Sequence, residues 1–170
     1  MMTALSGTPG TGKSSVAVEL QRRNIPITRV IDTVKQYRMG SDPDRETDLI
    51  DDERWVAEFS MVEGIIEGHI SHLLPADRII ILRCRPDILK QRLSERGYPP
   101  EKIAENVEAE LLDVILIETV EEHEASKIFE IDTTNMPVTA VADHIIRILE
   151  GTVNPSVGTV DWLTECGEML

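Results

Sequence analysis

The chain has 170 residues and a mass of 19.0 kDa, the length of one domain. Seventeen Lys and Arg face 31 Asp and Glu, a formal net charge of -14 that argues against broad, sequence-independent binding to DNA or RNA backbones. Hydrophobic residues at 41% and charged residues at 28% suit an ordinary globular core.

Along the chain, short apolar runs alternate with segments of helical period, which predicts a parallel α/β sheet. Met2 to Ser6 reads as a buried strand running into glycines, followed by a helix over Ser14 to Arg23 that buries Val16, Ala17 and Leu20. Ile27 to Ile31 is a second strand candidate, residues 33 to 50 a polar insertion, and Asp51 to Val62 a helix with Trp55, Val56, Phe59 and Val62 on one face. Strands are expected at Gly64 to Glu67 and Arg78 to Cys84. Pro86 opens a helix that Gly97 closes. After Pro99 and Pro100 the spacing of Ile103, Val107, Leu111, Val114 and Ile115 predicts one long helix, and the connection at 96 to 101 resembles a hinge. Ile128 to Ile131 is a last strand, Pro137 to Glu150 a last helix stopped by Gly151, and residues 152 to 170 a tail.

The longest purely aliphatic runs, Ile79 to Leu82 and Val114 to Ile117, fall far short of the roughly 20 residues that span a bilayer. A glycine-rich motif begins by Gly7, where a signal peptide would still be apolar, so a cytoplasmic location is expected. Cys84 and Cys166 lack metal-ligand spacing and read as reduced thiols. Charge is uneven. Residues 101 to 130 carry a net of -8 and read as a solvated helix face or an acidic docking surface, while residues 78 to 96 carry +4, the stretch a polyanionic ligand would choose.

Gly7-Thr8-Pro9-Gly10-Thr11-Gly12-Lys13-Ser14 has two glycines at the spacing of a phosphate-binding loop, followed by Lys and Ser. Glycines let successive backbone N–H groups turn inward around phosphate oxygens, and the helix that begins near Lys13 adds its positive end. Lys13 is placed to reach the β and γ phosphates and Ser14 to put its hydroxyl on Mg²⁺. Glu67-Gly68-His69 stands where a strand beside that loop would end. Glu67 there can hold Mg²⁺ directly or through its water, and His69 can donate to a phosphate oxygen or orient the attacking group; otherwise they are a surface acid and a hydrogen-bonded histidine. His72, His123 and His144 read as surface residues. Arg92 and Arg96 share a helix face before the hinge, either as charge-neutralising arginines of phosphoryl transfer or as a surface pair. No Asn-Lys-x-Asp occurs, which disfavours a GTPase.

These residues, with Asp51-Asp52-Glu53-Arg54, His69 with Pro75, Arg96-Gly97-Tyr98 and Lys102-Ile103-Ala104-Glu105-Asn106, resemble the atypical adenylate kinase family of archaea and eukaryotes, whose members also serve in small ribosomal subunit maturation. The resemblance covers roughly residues 1 to 150, and Gly158-Thr159-Val160-Asp161-Trp162 looks like the ending of the archaeal members. It implies a P-loop nucleoside monophosphate kinase fold: a five-stranded parallel sheet flanked by helices, a monophosphate-binding insertion at about 29–50 and a lid at about 95–105, followed by a C-terminal tail at 151–170. By resemblance Gly10, Gly12, Lys13, Ser14 and Ser15 bind the ATP phosphates, Arg96 is the lid arginine contacting ATP, and Asp32 is the acidic residue that opens the insertion. The chain departs from the family in having Glu67 where Asp is frequent and Lys35 where arginine is frequent, which exchanges a planar bidentate fork for a point charge at a monophosphate-binding position.

The resemblance implies conversion of ATP and AMP to two ADP with Mg²⁺, with broad monophosphate specificity and ATPase activity as further expectations, and a role in small ribosomal subunit (16S rRNA) maturation with a basic ribosomal protein as partner. Catalysis would then be positioning and charge neutralisation, since an acceptor phosphate is already a nucleophile. A ribosome-assembly ATPase and ribosomal-protein-binding module, or another small-metabolite kinase on the same fold, are the competing expectations.

Overall fold

The structure, a computed structural model, describes residues 1–42 and 47–167. Five strands form one parallel sheet: β1 (Met2–Ser6), β2 (Ile27–Arg29), β5 (Gly64–Glu67), β6 (Arg78–Arg83) and β7 (Ile128–Asp132), in the order β2-β5-β1-β6-β7. β1 lies at the centre and is buried along its whole length, as a strand covered on both faces must be. Alternate side chains of the sheet feed two cores. Met2, Ala4, Ile79 and Ile81 enter one core, whereas Leu5, Ile80, Leu82 and Ile131 enter the other. The second core is closed by Val16 and Leu20 of α1 (Lys13–Arg22) and by Val141, Ala142, Ile145 and Ile148 of α7 (Val138–Leu149). Trp55 of α3 (Asp52–Glu58) and Leu116 of α6 (Val114–Glu122) close the first. In register, Leu5 stands opposite Glu67 and Ser6 opposite Ile81, so the C-terminal ends of β1, β5 and β6 meet at one edge, where open α/β sheets hold their ligands.

The sheet and its flanking helices agree with the sequence reading; several local expectations are corrected. The second strand stops at Arg29 and Val30 turns into a short helix, α2 (Val30–Thr33). Val30 is buried against Gly68, where a Cβ would stand 2.5 Å from its own Cβ. The helix expected over Asp51 to Val62 ends at Glu58, because Phe59 goes extended to meet the fully buried Trp55 edge-on, ring centroids 5.6 Å apart. Within the polar insertion a 3-10 turn (Lys35–Tyr37) leads to an antiparallel hairpin, β3 (Arg38–Asp42) and β4 (Thr47–Ile50); residues 43–46 of that insertion lie outside the described residues.

The single long helix is two. α4 (Pro86–Glu95) is followed by α5 (Pro100–Leu111), and Asp113, at φ 55°, separates α5 from α6. The break is fixed by a buried charge. Arg83 at the end of β6 is 2% exposed and donates to Glu110 Oε1 of α5 at 2.9 Å, to Glu130 Oε1 of β7 at 2.6 Å, and to Asp113. Swinging Asp113 into the left-handed region delivers its carboxylate to that guanidinium and re-aims the chain so that Leu116 reaches the sheet. Two acids of the expected solvated face, Glu110 and Glu130, are therefore interior residues.

The tail is also structured. Ser156 exchanges backbone hydrogen bonds with Ile128 (2.9 Å) and Glu130 (3.0 Å), and Thr159 donates through N and Oγ1 to Glu130 Oε2 at 2.7 and 2.8 Å. Trp162, at the start of α8 (Trp162–Cys166), is buried with Leu111 and Val160. His72 is no surface residue: it is buried, its Nδ1 3.0 Å from Ser6 Oγ and its Nε2 2.9 Å from Glu118 Oε2, and burial lowers its pKa. His123 places Nε2 2.6 Å from the His72 carbonyl oxygen. Among the described residues no helix is long and apolar enough to cross a membrane.

Replacing Arg83 by leucine strands Glu110 and Glu130 without their cation. Breaking a buried ion pair from one side costs about 3–5 kcal/mol. Urea unfolding of R83L should show a loss of that size, and a loss below about 1 kcal/mol would mean that the network does not hold the fold.

Candidate active site

The loop between β1 and α1 is shaped by its glycines. Gly7 sits at φ +139°, and a Cβ there would collide with the Leu82 carbonyl oxygen; Gly10, at φ +95°, would bring one to 2.7 Å from Leu89 Cδ1. Both positions need a backbone that L side chains rarely adopt and a close approach that they forbid. Gly12 caps α1 and Lys13 opens it, so the first-turn N–H groups face the loop's interior.

Thr8 is the node of this loop. Its carbonyl oxygen accepts from Thr11 N at 3.2 Å, Thr11 Oγ1 at 2.8 Å and Lys13 Nζ at 3.0 Å. Lys13 also donates to the Gly7 carbonyl oxygen. Its ammonium is buried, and burial pulls its pKa from 10.5 down to about 8; Glu67 and Glu110 oppose the shift and Arg96 adds to it. Ser14 Oγ donates to Glu67 Oε1 at 3.0 Å, so the two residues expected at a metal ion do stand together. An alcohol and a carboxylate are the hard oxygen donors Mg²⁺ takes, and a Mg²⁺ bound with phosphates needs only one or two protein ligands. Among the described residues there is no group of three or more His, Cys, Asp or Glu that could hold a metal.

His69 lies two residues beyond Glu67 and is exposed. Thinned hydration there, with Lys13, His72 and Lys102 nearby, holds its imidazole below its ordinary pKa, so at neutral pH it offers one N–H and one lone pair.

A cavity of about 340 Å³ opens directly from the loop. Gly10, Gly12 and Ser15 form its floor; Arg92 and Arg96 at the end of α4 line one side, and Met136, Val138 and Val141 the other. The two arginines part company here. Arg92 donates to the carbonyl oxygens of Thr133 and Thr134, both at 3.2 Å, and so ties α4 to the end of β7, whereas Arg96 is exposed and makes no ion pair with a described residue. Of the expected acceptor residues, Asp32 and Lys35 pair with each other at 3.2 Å on exposed surface.

Sequence reasoning missed Glu110, which accepts from Thr8 Oγ1 at 2.5 Å, Cys84 N at 3.0 Å and Trp162 Nε1 at 3.2 Å as well as from Arg83. A signal for it existed: Glu110 lies seven residues after Ile103 and three after Val107, on the buried stripe of its helix, where a carboxylate is unexpected.

Comparison with known proteins bears on this geometry. Residues 4–113 match a family model described as "AAA domain". A relative in Archaeoglobus fulgidus named "Putative adenylate kinase" is 43% identical over 174 residues, with 100% of this chain and 96% of that protein covered. Another of the same name in Methanocaldococcus jannaschii is 39% identical over 170 residues, with 95% and 93% covered. This chain belongs to their family. Among solved structures, a deoxyadenosine kinase from M. mycoides with bound dATP superposes with a TM-score of 0.59 at 15% identity over 88% of this chain and 100% of that one. A gluconokinase from Sinorhizobium meliloti 1021 gives 0.55 at 17% over 89% and 94%. At such identities they show the fold alone, and the fold is that of P-loop kinases. Family and fold together place the chain in an adenylate-kinase-like family built on the P-loop kinase fold.

A lysine whose folded pKa lies below its unfolded value sheds its proton early, so any anion held by the Lys13 ammonium should be lost as pH rises through about 8. ¹³C NMR of the Lys13 ε-methylene should titrate near pH 8, and E67Q, which removes the main opposing negative charge, should move the midpoint lower. A midpoint that E67Q leaves unmoved would refute the coupling.

Proposed function

We propose that the chain is an ATP:AMP phosphotransferase that converts ATP and AMP to two ADP. The observation that carries this reading is the cavity opening from the phosphate loop, because it joins a place for polyphosphate to a place for a base. Gly10, Gly12 and the first turn of α1 present backbone N–H groups to the phosphates, with Lys13 exchanging its loop carbonyl partners for β and γ oxygens. The base lies between Arg92 and Arg96 on one side and Met136, Val138 and Val141 on the other, where a planar heterocycle gains both apolar burial and stacking on guanidinium. Mg²⁺, held by Ser14 Oγ and by Glu67 directly or through water, would neutralise charge on the β and γ oxygens. Ser15 lines the cavity beside the phosphates, His69, two residues beyond Glu67, would donate an N–H to a phosphate oxygen, and the Asp32–Lys35 pair lies on the acceptor side with the hairpin. No general base is needed, because the AMP phosphate is already anionic.

AMP as acceptor is supported by the names of the archaeal relatives and by the inserted hairpin, the place a second substrate needs. Purified protein given ATP, Mg²⁺ and AMP should form two ADP for each AMP consumed. ATP hydrolysed at the same rate with and without AMP would replace the kinase by an ATPase.

That ATPase is the second reading, a ribosome-assembly factor in the cytoplasm that binds a basic ribosomal protein. It is favoured by the net charge of -14 and by the exposed Glu121 and Glu122 at the end of α6. Glu110 and Glu130 contribute nothing to such a surface, and Glu118 is engaged with His72.

Arg96 lines the cavity without an ion pair to any described residue, and closure of the 95–105 segment would bring it onto the phosphates. An arginine supplied to phosphoryl transfer is worth about 10³ to 10⁵ in rate. R96A should therefore lower kcat by about 10³-fold while the ATP Kd rises less than about tenfold. Equal losses in both would reduce Arg96 to a binding residue.

A further inference from the structure

The phosphate loop needs more than its glycines to keep its shape. Freed of side chains at Gly7, Gly10 and Gly12, its backbone has many conformations to lose, and something must select one. Three of the loop's internal hydrogen bonds converge on the Thr8 carbonyl oxygen: those from Thr11 N, Thr11 Oγ1 and Lys13 Nζ. The Thr11 carbonyl oxygen in turn accepts from Thr133 Oγ1 at 2.8 Å. Where Thr8 goes, Thr11 and Lys13 follow.

Thr8 is 2% exposed, and its hydroxyl donates to Glu110 Oε2 at 2.5 Å. Glu110 comes from α5, 102 residues away, and is itself 2% exposed. It cannot move freely. Its other oxygen is gripped by Arg83 Nε, Cys84 N and Trp162 Nε1, which anchor it to the end of β6 and to the C-terminal helix.

We infer that Glu110 is a positioning residue for the phosphate loop, holding Thr8 through its hydroxyl and so setting the placement of Lys13 and the curvature of the loop around a polyphosphate. This deepens the proposed ATP site and rests on that reading for its ligand. The chemistry is directional. An ionised carboxylate can only accept, so it fixes the Thr8 hydroxyl as a donor and with it the side-chain rotamer. The hydroxyl points away from the loop's interior, and a valine at position 8 would keep the backbone N–H and the volume while removing only the bond to α5.

The test compares T8V, T8S, E110Q and the double variant T8V/E110Q. ATP dissociation constants are measured by calorimetry, and amide hydrogen exchange at Thr11, whose N–H is bonded inside the loop, is followed in the free protein. T8V should weaken ATP about tenfold and speed Thr11 exchange by a similar factor, while T8S, which restores the hydroxyl, should stay within about twofold of wild type in both. If the two residues act through one bond, T8V/E110Q should bind ATP no worse than the poorer single variant. Wild-type affinity and exchange in T8V overturn the inference, as do losses in T8V and E110Q that multiply in the double variant, for Glu110 would then act only through the fold. Should E110Q fail to fold, T8V against T8S decides. A wild-type protein that binds no ATP sinks the kinase reading, yet Thr11 exchange in T8V and T8S still tests the positioning.

Discussion

One guanidinium, buried where the sheet meets its ligand edge, sets the arrangement of everything around it. Arg83 gathers Glu110, Asp113 and Glu130 from three different elements, and each of these carboxylates reaches onward. Glu130 receives the backbone and hydroxyl of Thr159, Glu110 receives Trp162 and Thr8, and Asp113 turns the chain between α5 and α6. Taking four charges out of water carries a large desolvation penalty, which a purely apolar cluster would avoid. What the apolar cluster could not supply is direction. Hydrogen bonds with fixed donors and acceptors specify which atoms meet, and here they specify that the C-terminal segment, α5 and the phosphate loop come into one register.

That arrangement separates two kinds of stability. The sheet and its two cores are held by area, with isoleucines of β6 alternating between opposite faces, and such packing tolerates changes of similar volume. The ligand edge is held by polar bonds that tolerate no change of donor. The phosphate loop, with three glycines at positive φ, belongs to the second kind. Its conformation is unfavourable alone and is maintained by partners drawn from α5 and from the residue just after β7, Glu110 through Thr8 and Thr133 through Thr11.

Local signals made the frame legible in the sequence. The glycine spacing, the apolar runs at Met2–Ser6 and Arg78–Arg83, Pro86 with Gly97, and the helical stripe of α7 each depend on residues a few positions apart, so the strands and their flanking helices could be read directly. The pairing of Ser14 with Glu67 was readable too, because a strand beside the loop must end near it. Charges defeated the reading. Glu110 and Glu130 look like members of an acidic surface run, and only Arg83, 27 and 47 residues away, makes them interior. His72 was missed for the same reason, since Ser6 and Glu118 stand 66 and 46 residues from it. The break at Asp113 has no proline or glycine to announce it; a tertiary ion pair imposes the left-handed turn.

The same contrast explains why the two arginines of α4 cannot share a role despite their shared face. Arg92 is spent on the carbonyl oxygens of Thr133 and Thr134, which secures the wall of the cavity, and moving it would loosen the end of β7 that also supports Thr11. Arg96, one turn later at the edge of the 96–101 connection, has no such duty. Its charge adds a little to the lowering of the Lys13 pKa that burial dominates. Glu67 and Glu110 already offset that repulsion, and on the proposed reading a polyphosphate between Lys13 and Arg96 would gain from both cations. On that reading the charge that burial makes costly at Lys13 is what a bound polyanion would relieve, and the gain would favour conformations that bring Arg96 nearer the phosphates.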